Sequence, residues 1–223
     1  MIPAHEAAFA TLSRVGIVPV VVVDDPARSS DLADALVAGG LPIAEITFRT
    51  PGAEAALRTF ADRPDMLAGA GTVLTADQVD LAAEAGARFI VSPGFSTAVV
   101  RRAQELGLPV LPGVASASDL QAAVAEGIER VKLFPANRLG GPDMIASLSE
   151  PFPEMGFLPS GGVGPGNAAA YLAQPSVFAL GGSWMVRRDL VAAGDMAAVA
   201  RLSAEAVALV ASLRAGAGTG VSA

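Results

Sequence analysis

Eight short apolar runs occur along this chain, roughly 20 to 25 residues apart, and each is followed by a segment with helical periodicity. The runs are rich in β-branched residues and too short for helices, which is typical of strands buried on both faces. Repeated strand–helix units require right-handed crossovers and a parallel sheet. Eight of them predict a closed (β/α)8 TIM barrel of the α/β class, and the alternative is an open doubly wound sheet.

The predicted elements follow one another without a break that would mark a second domain. The strands are predicted at residues 17–23, 43–49, 66–72, 88–92, 109–112, around Lys132, at 157–160 and at 177–180. The helices are predicted at residues 28–38, 53–61, 76–85, 97–106, 118–125, 143–148, 166–172 and 195–213, after a short lead-in helix at 3–14. We therefore predict a single domain over residues 1–223, with a flexible Gly/Ala/Ser/Thr-rich tail at 215–223.

Charge and composition argue against several kinds of partner. The net charge of −7, with no basic cluster, disfavours nucleic acid. The chain has no cysteine, and its single histidine, His5, lies in a helical pattern near the N-terminus and is predicted to be a surface residue. We therefore expect no metal site and no other cofactor. We find no apolar run long enough to span a membrane and no signal pattern, so we expect a cytoplasmic protein with no membrane contact.

Lys132 is the only lysine, because the other fourteen of the 15 basic residues are arginines. It lies in a short apolar run that ends at Pro135, which predicts a buried strand. Burial of an ammonium group is unfavourable unless the group is paired or deprotonated. A neutral lysine can attack a carbonyl and form a Schiff base, which an arginine cannot do. The alternative is a lysine without a special role whose side chain reaches the surface.

Barrel active sites form at the carboxyl ends of the strands, and polar residues follow two of these ends here. In the second strand, Glu45, Thr47 and Arg49 alternate with apolar residues, so the three polar side chains are predicted to face the barrel interior. The same alternation places Lys132 and Phe134 on the inward face of the sixth strand. Lys132 is therefore expected to meet Glu45 across the barrel.

Small and turn-forming residues end the other strands. Thr72 offers a hydroxyl after three small residues that let the backbone approach a ligand, while Pro93 could simply form a turn. The runs Ser160-Gly161-Gly162 and Gly181-Gly182-Ser183 end the last two strands, where barrels commonly bind phosphate through free backbone N–H groups. Together these groups predict a Schiff-base aldolase that acts on a phosphorylated keto acid.

The same motifs resemble those of the 2-keto-3-deoxy-6-phosphogluconate aldolases, a class I, Schiff-base family in which some members also cleave 4-hydroxy-2-oxoglutarate. The matching runs are PVVV at 19–22, AGG at 38–40, EITFRT at 45–50, GAGTVL at 69–74, SPG at 92–94, KLFPA at 132–136, SGGV at 160–163 and GGSW at 181–184. The likeness extends in order from about residue 16 to residue 212. It implies cleavage to pyruvate and glyceraldehyde 3-phosphate, or to pyruvate and glyoxylate for the second substrate.

The resemblance also implies a role for each matching residue. Lys132 falls on the Schiff-base lysine and Glu45 on the general acid/base. The residues implied to bind substrate are Arg49 and Thr72 for the pyruvyl carboxylate, Gly161, Gly162 and Ser183 for the phosphate, and Pro93 and Phe134 for the pocket wall. Ser160 departs from the family, where threonine is common. A homotrimer without a metal ion is also implied.

Two other functions are compatible with parts of this pattern. An isomerase or epimerase could use the same phosphate-binding barrel, but it would not need a lone buried lysine. A non-catalytic phosphosugar sensor would bind its ligand without forming a covalent adduct. Trapping of pyruvate on Lys132 therefore distinguishes the aldolase from both alternatives.

Overall fold

Parallel strands form a closed barrel in the structure, a computed structural model that describes residues 4–218. The strands are β1 Ile17–Val21, β2 Ile43–Thr47, β3 Leu67–Gly71, β4 Ile90–Val91, β5 Val110–Leu111, β6 Gly113–Val114, β7 Arg130–Leu133, β8 Gly156–Pro159 and β9 Leu180–Gly182. One parallel sheet has the order β5-β4-β3-β2-β1-β9, and a second has the order β6-β7-β8. Isolated parallel bridges, Phe157 to Val177 and Ser160 to Gly181, join the two sheets at β8 and β9. The predicted barrel is confirmed.

Helices alternate with these strands on the outside of the barrel. They are α1 Ala4–Val15, α2 Ser29–Ala38, α3 Ala53–Ala61, α4 Ala76–Glu84, α5 Thr97–Glu105, α6 Ala117–Ala125, α7 Pro142–Ser149, α8 Ala168–Leu172, α9 Arg188–Ala193 and α10 Met196–Gly218. Short 3-10 helices occur at Pro26–Arg28, Ala136–Leu139 and Trp184–Val186. Sequence reasoning did not predict these turns, which are too short to show helical periodicity, and it did not predict α9.

The barrel interior is apolar at the end where the strands begin. An inner cluster is formed by Phe9, Leu12, Val18, Ile43, Phe89, Val91, Leu111, Leu158 and Ala179. Phe9 and Leu12 come from α1, so the lead-in helix closes this end, and the Arg130 guanidinium lies 4.7 Å from the Phe9 ring. Because this end is filled, the open space inside the barrel lies at the carboxyl ends of the strands.

The first four strands each end one or two residues earlier than predicted, and two later strands differ more strongly. The fifth strand, expected over residues 109–112, is shortened to Val110–Leu111 as β5, and a separate strand, β6, follows Pro112 at Gly113–Val114 and lies in the other sheet. Pro112 has no N–H to continue the ladder, while its carbonyl accepts from Lys132 N at 2.9 Å. The last strand was expected at residues 177–180 but is Leu180–Gly182, because Gly181 and Gly182 pair with Val18 and Pro19 of β1 instead of forming a turn.

The final helix is longer than predicted. It continues to Gly218 rather than ending at residue 213, and residues 219–223 of the predicted tail lie outside the described range. By length and composition, Met196–Gly216 is long and apolar enough to cross a membrane, contrary to our expectation for the chain. This helix packs closely against α2. A Cβ on Gly39, the residue after α2, would lie only 2.4 Å from Ser203 Cβ. Val199, Ala206 and Val210 of this helix are buried in the apolar cluster between the helices and the barrel strands.

Candidate active site

Lys132 and Glu45 form a buried ion pair at the centre of the barrel. Lys132 Nζ donates to Glu45 Oε1 at 2.8 Å and to Oε2 at 3.2 Å. The two residues are 3% and 1% exposed, so the pair is removed from bulk water. The predicted meeting across the barrel is confirmed, and the Phe134 ring lies 5.6 Å from Nζ as part of the same wall. A carboxylate next to a buried amine can accept a proton from the amine and return it.

Gly71, on β3, makes space for the Glu45 side chain. Glu45 on β2 is paired with Gly69, and the strand continues so that Thr47 is paired with Gly71. A Cβ on Gly71 would lie 2.3 Å from Glu45 Oε1, which is closer than any atom could be tolerated. The small residues of β3 therefore let the carboxylate reach Lys132.

Arg49 and Thr72 meet at the mouth of the barrel. Arg49 Nε donates to Thr72 Oγ1 at 2.9 Å. We predicted Arg49 as an inward residue of β2, but this strand ends at Thr47 and Arg49 lies exposed in the following turn. Thr72 has a φ of 58°, a left-handed conformation that a β-branched residue adopts at a cost of about 1–3 kcal/mol. Such strain is typical of functional positions and here directs the hydroxyl to Arg49.

Thr47 serves a structural purpose within the strand pair. It is fully buried and donates from Oγ1 to the Val21 carbonyl at 2.8 Å. This bond links β2 to β1 just below the mouth. Thr47 therefore stabilises the pairing of β1 with β2. Glu45, on the same strand, contacts Lys132 Nζ instead.

The loop after β8 presents three consecutive amide groups. The carbonyls of Ser160, Gly161 and Gly162 accept from Ala136 N at 2.8 Å, Asn137 N at 3.0 Å and Asn167 Nδ2 at 2.9 Å, respectively. In a planar trans peptide the N–H points away from the C=O. The N–H groups of Gly161, Gly162 and Val163 therefore point to the other side of the loop, and within residues 4–218 they have no acceptor.

This loop borders a cavity of about 120 Å³ at the mouth. The cavity is lined by Val20, Arg49, Lys132, Phe134, Ser160, Gly161, Gly162, Val163, Gly181, Gly182 and Ser183. Lys132 therefore lines one side of the cavity, and the loop with the free N–H groups lines another. An anionic substrate with a carbonyl group requires both. Larger cavities of about 470 and 680 Å³ lie at the opposite end of the barrel, beside Arg130 and Phe152, far from the amine–carboxylate pair.

The structure brings most of the predicted site residues to this cavity. Glu45 and Thr72 do not line the cavity themselves, but they contact the lining residues Lys132 and Arg49, respectively. Pro93 is not part of the lining, and its carbonyl instead packs where a Cβ on Gly113 would be, at 2.2 Å. Sequence reasoning did not select Val20 or Val163, although both belong to the runs that carry the resemblance, and it included Gly181 and Gly182 only as part of the glycine run before Ser183.

An ion pair joins the segments that follow β1 and β9. Arg188 at the start of α9 donates from Nε to Asp24 Oδ2 at 2.6 Å and from Nη2 to Oδ1. This hydrogen bonding holds the pKa of Asp24 below its ordinary value. The pair joins the loop after β1 to the segment that follows Ser183.

In the part of the chain that the structure describes, no three His, Cys, Asp or Glu side chains are grouped as metal ligands.

The carboxyl end of the barrel holds a buried amine–carboxylate pair, an arginine and a loop with three free N–H groups. These features define a Schiff-base lyase of phosphorylated carbonyl compounds. Comparison with known proteins agrees with this class. The family model described as "KDPG and KHG aldolase" matches residues 9–202. The chain belongs to this family, in which KDPG is 2-keto-3-deoxy-6-phosphogluconate and KHG is 4-hydroxy-2-oxoglutarate. The resemblance found in the sequence is confirmed.

Individual relatives are similar over nearly their whole length. A 2-dehydro-3-deoxy-phosphogluconate aldolase of Treponema pallidum is 44% identical over 91% of this chain and 97% of the relative. The KDPG aldolase structure of Zymomonas mobilis ZM4 with 3-phosphoglycerate is 39% identical, with a TM-score of 0.85 over 90% of this chain and 95% of that one. The Legionella pneumophila KDPG aldolase, with pyruvate captured as a covalent carbinolamine, is 36% identical, with a TM-score of 0.86 over 92% and 98%.

Proposed function

We propose that this chain cleaves 2-keto-3-deoxy-6-phosphogluconate to pyruvate and glyceraldehyde 3-phosphate, with Lys132 as the Schiff-base residue and Glu45 as the general acid/base. The observation that carries this proposal is the 2.8 Å contact between Lys132 Nζ and Glu45 Oε1 inside an apolar barrel. The chain has no second lysine that could take the role.

The first half of the reaction forms the electron sink. Glu45 accepts a proton from Lys132, and the neutral amine attacks C2 of the substrate to give a carbinolamine. Glu45 returns that proton to the C2 hydroxyl, which leaves as water, and an iminium ion remains between C2 and Nζ. Arg49 binds the C1 carboxylate through its guanidinium, which Thr72 orients through the 2.9 Å contact to Nε.

The second half breaks the carbon–carbon bond. Glu45 takes the proton of the C4 hydroxyl, the C3–C4 bond electrons move into the iminium to form an enamine, and glyceraldehyde 3-phosphate leaves. Protonation of the enamine at C3 restores the iminium. Addition of water at C2 then releases pyruvate and returns Lys132 as the free amine.

The free amides of Gly161, Gly162 and Val163, together with Ser183, bind the phosphate of the substrate. These groups carry no formal charge, so they hold the dianion by several hydrogen bonds rather than by an ion pair. Ser160 and Phe134 line the space between the phosphate and the amine. The same chemistry at C2 to C4 serves 4-hydroxy-2-oxoglutarate, which yields pyruvate and glyoxylate and leaves the phosphate loop empty.

Borohydride trapping tests the proposal directly. Reduction in the presence of pyruvate should add one pyruvyl adduct per chain, and peptide mapping should place it on Lys132 rather than on the N-terminal amine. The Lys132→Arg variant keeps the charge but cannot form the imine, so it should show neither adduct nor turnover. An adduct elsewhere, or none, refutes the aldolase mechanism.

The proposal extends to the state of the protein. The chain forms a single domain and assembles as a homotrimer without a metal ion or cofactor in the cytoplasm. Membership of a family of metabolic aldolases supports this part of the proposal. Sedimentation at three times the mass of one chain, with activity unchanged by a chelator, is the expected result.

A further inference from the structure

Asn167 precedes α8 at the position where asparagine usually caps a helix, but its side chain makes no hydrogen bond to that helix. Its two polar atoms contact the preceding loop instead. Oδ1 accepts from Gly164 N at 2.9 Å, and Nδ2 donates to the Gly162 carbonyl at 2.9 Å. The side chain therefore uses both of its hydrogen-bonding ends to hold the loop that follows β8.

The contact with Gly162 fixes the direction of one peptide group. Because Asn167 holds the carbonyl of Gly162, the N–H of Val163 points to the opposite side of the loop, where the cavity lies. The two preceding peptides are held by backbone groups, Ala136 N and Asn137 N. Asn167 is thus the side chain that completes a row of three aligned amides.

The glycines of this loop make such a restraint necessary. Gly161 and Gly162 have φ values of 89° and 81°, a conformation that glycine enters and leaves easily. Without a partner for its carbonyl, the peptide between Gly162 and Val163 could rotate and direct the oxygen to the anion. A carbonyl oxygen in that place would repel a phosphate group.

We propose that Asn167 is a positioning residue for phosphate recognition. It aligns the Gly162–Val163 peptide so that three N–H groups converge on the substrate's phosphate. The inference rests on the proposed function and specifies which part of the substrate depends on this residue. It predicts that loss of Asn167 affects phosphorylated substrates and leaves the chemistry at Lys132 intact.

The variants Asn167→Ala and Asn167→Asp separate positioning from general loop stability. The aspartate keeps the acceptor for Gly164 N but places an anionic oxygen beside the Gly162 carbonyl, so it should disturb the peptide at least as much as alanine does. For both variants we expect KM for the phosphorylated substrate to rise about tenfold, the effect of one lost hydrogen bond to a charged group. The rate of borohydride trapping with pyruvate and kcat/KM for 4-hydroxy-2-oxoglutarate should change less than about twofold.

Ser116→Ala is the matched control. Ser116 also lies on a loop at this end of the barrel, and its Oγ donates to Asp119 Oδ2 at 2.9 Å and accepts from Asp119 N at 3.3 Å. The control loses two hydrogen bonds at the start of α6 and leaves the N–H groups of Gly161, Gly162 and Val163 unchanged. It should reduce thermal stability to a similar extent while leaving the KM for the phosphorylated substrate unchanged.

Inorganic phosphate provides an arm that does not depend on turnover. Phosphate that binds the native loop raises Tm, and this rise should shrink in both Asn167 variants but not in Ser116→Ala. Parallel losses on the two substrates, an unchanged KM for the phosphorylated one, or an unchanged phosphate-induced rise in Tm would overturn the inference. Failure of the wild-type protein to trap pyruvate would instead refute the proposed function, and the phosphate measurement would still decide the role of Asn167.

Discussion

Lys132 and Glu45 are 87 positions apart in the sequence and 2.8 Å apart in the barrel. The pairing of β2 with β3 and of β7 with β6 places both side chains inside, and the apolar inner cluster below them excludes water. A buried pair of this kind contributes little to stability, because desolvation offsets most of the attraction. In the proposed mechanism, the pair serves instead to exchange a proton between the two groups during turnover.

Replacement of Glu45 by glutamine tests that exchange. The amide keeps the shape of the side chain but cannot accept a proton, so kcat should fall about 10²–10⁴-fold, the usual contribution of a general base. The pyruvate adduct should still form, at least in part. Deuterium exchange from solvent into the pyruvate methyl group, followed by NMR, should slow in the variant. Unchanged exchange would remove Glu45 from its assigned role.

Gly71→Ala should reduce activity although it replaces neither Lys132 nor Glu45. The new Cβ would lie 2.3 Å from Glu45 Oε1, so the carboxylate must move away from Lys132. We expect a loss of kcat of about 10²-fold, because a displacement of about 1 Å at a reacting group has such an effect. Gly166→Ala is the control, since a Cβ there has no atom within 4 Å. Equal activity of the two variants in steady-state assays would show that the Glu45 position is not critical.

The sequence was sufficient to predict the groups that depend on strand alternation. Glu45 and Lys132 lie inside because a strand in a barrel has only two faces, and the apolar residues beside them belong on the outer one. Arg49 was placed on the same face by extending the alternation past Thr47, where β2 has already ended. The point at which a short strand ends depends on its neighbours, which a single sequence does not reveal.

Contacts between distant segments were also beyond prediction. Pro112 could be recognised as a residue without an N–H, but the sequence does not show that β5 before it pairs with β4 while β6 after it pairs with β7. Asn167 has the sequence context of a helix cap, and only the positions of Gly162 and Gly164 show that it binds the loop. Local sequence patterns identify the residue type but not which of its possible partners is nearest.

Arg214 is predicted to stabilise the end of the barrel opposite the active site. Its guanidinium donates to the carbonyls of Ser13 at 2.6 Å and Phe178 at 2.7 Å, and thus ties α10 to α1 and to the segment before β9. Arg214→Met should lower the free energy of unfolding by about 2 kcal/mol, the scale of hydrogen bonds to a charged donor. Urea unfolding measures this change. Arg201→Met, which removes an exposed pair with Glu205, should have less effect, and equal losses would contradict the assignment.

Ser160, where the resemblance implies that threonine is common in the family, should influence stereochemistry. The residue is 5% exposed, lines the cavity and packs against Gly181, where a Cβ would lie 2.9 Å from both Ser160 Cβ and Oγ. Serine keeps the hydroxyl of threonine but lacks its methyl group and the stiffness of a β-branched side chain. A rotating hydroxyl and the vacated space should allow an incoming aldehyde to bind in either orientation.

We therefore expect this enzyme to form more of the C4 epimer in the synthetic direction than its Ser160→Thr variant does. One methyl group in a pocket is worth at most about 1–3 kcal/mol of discrimination, so the epimer ratio should change by no more than about 200-fold. Pyruvate and glyceraldehyde 3-phosphate are incubated with each protein, and the products are separated by chromatography. Because Gly181 occupies one side of Ser160, the added methyl group must project into the cavity, where it narrows the space for the aldehyde. An equal ratio, or a less selective variant, would show that the methyl group does not control the orientation of the aldehyde.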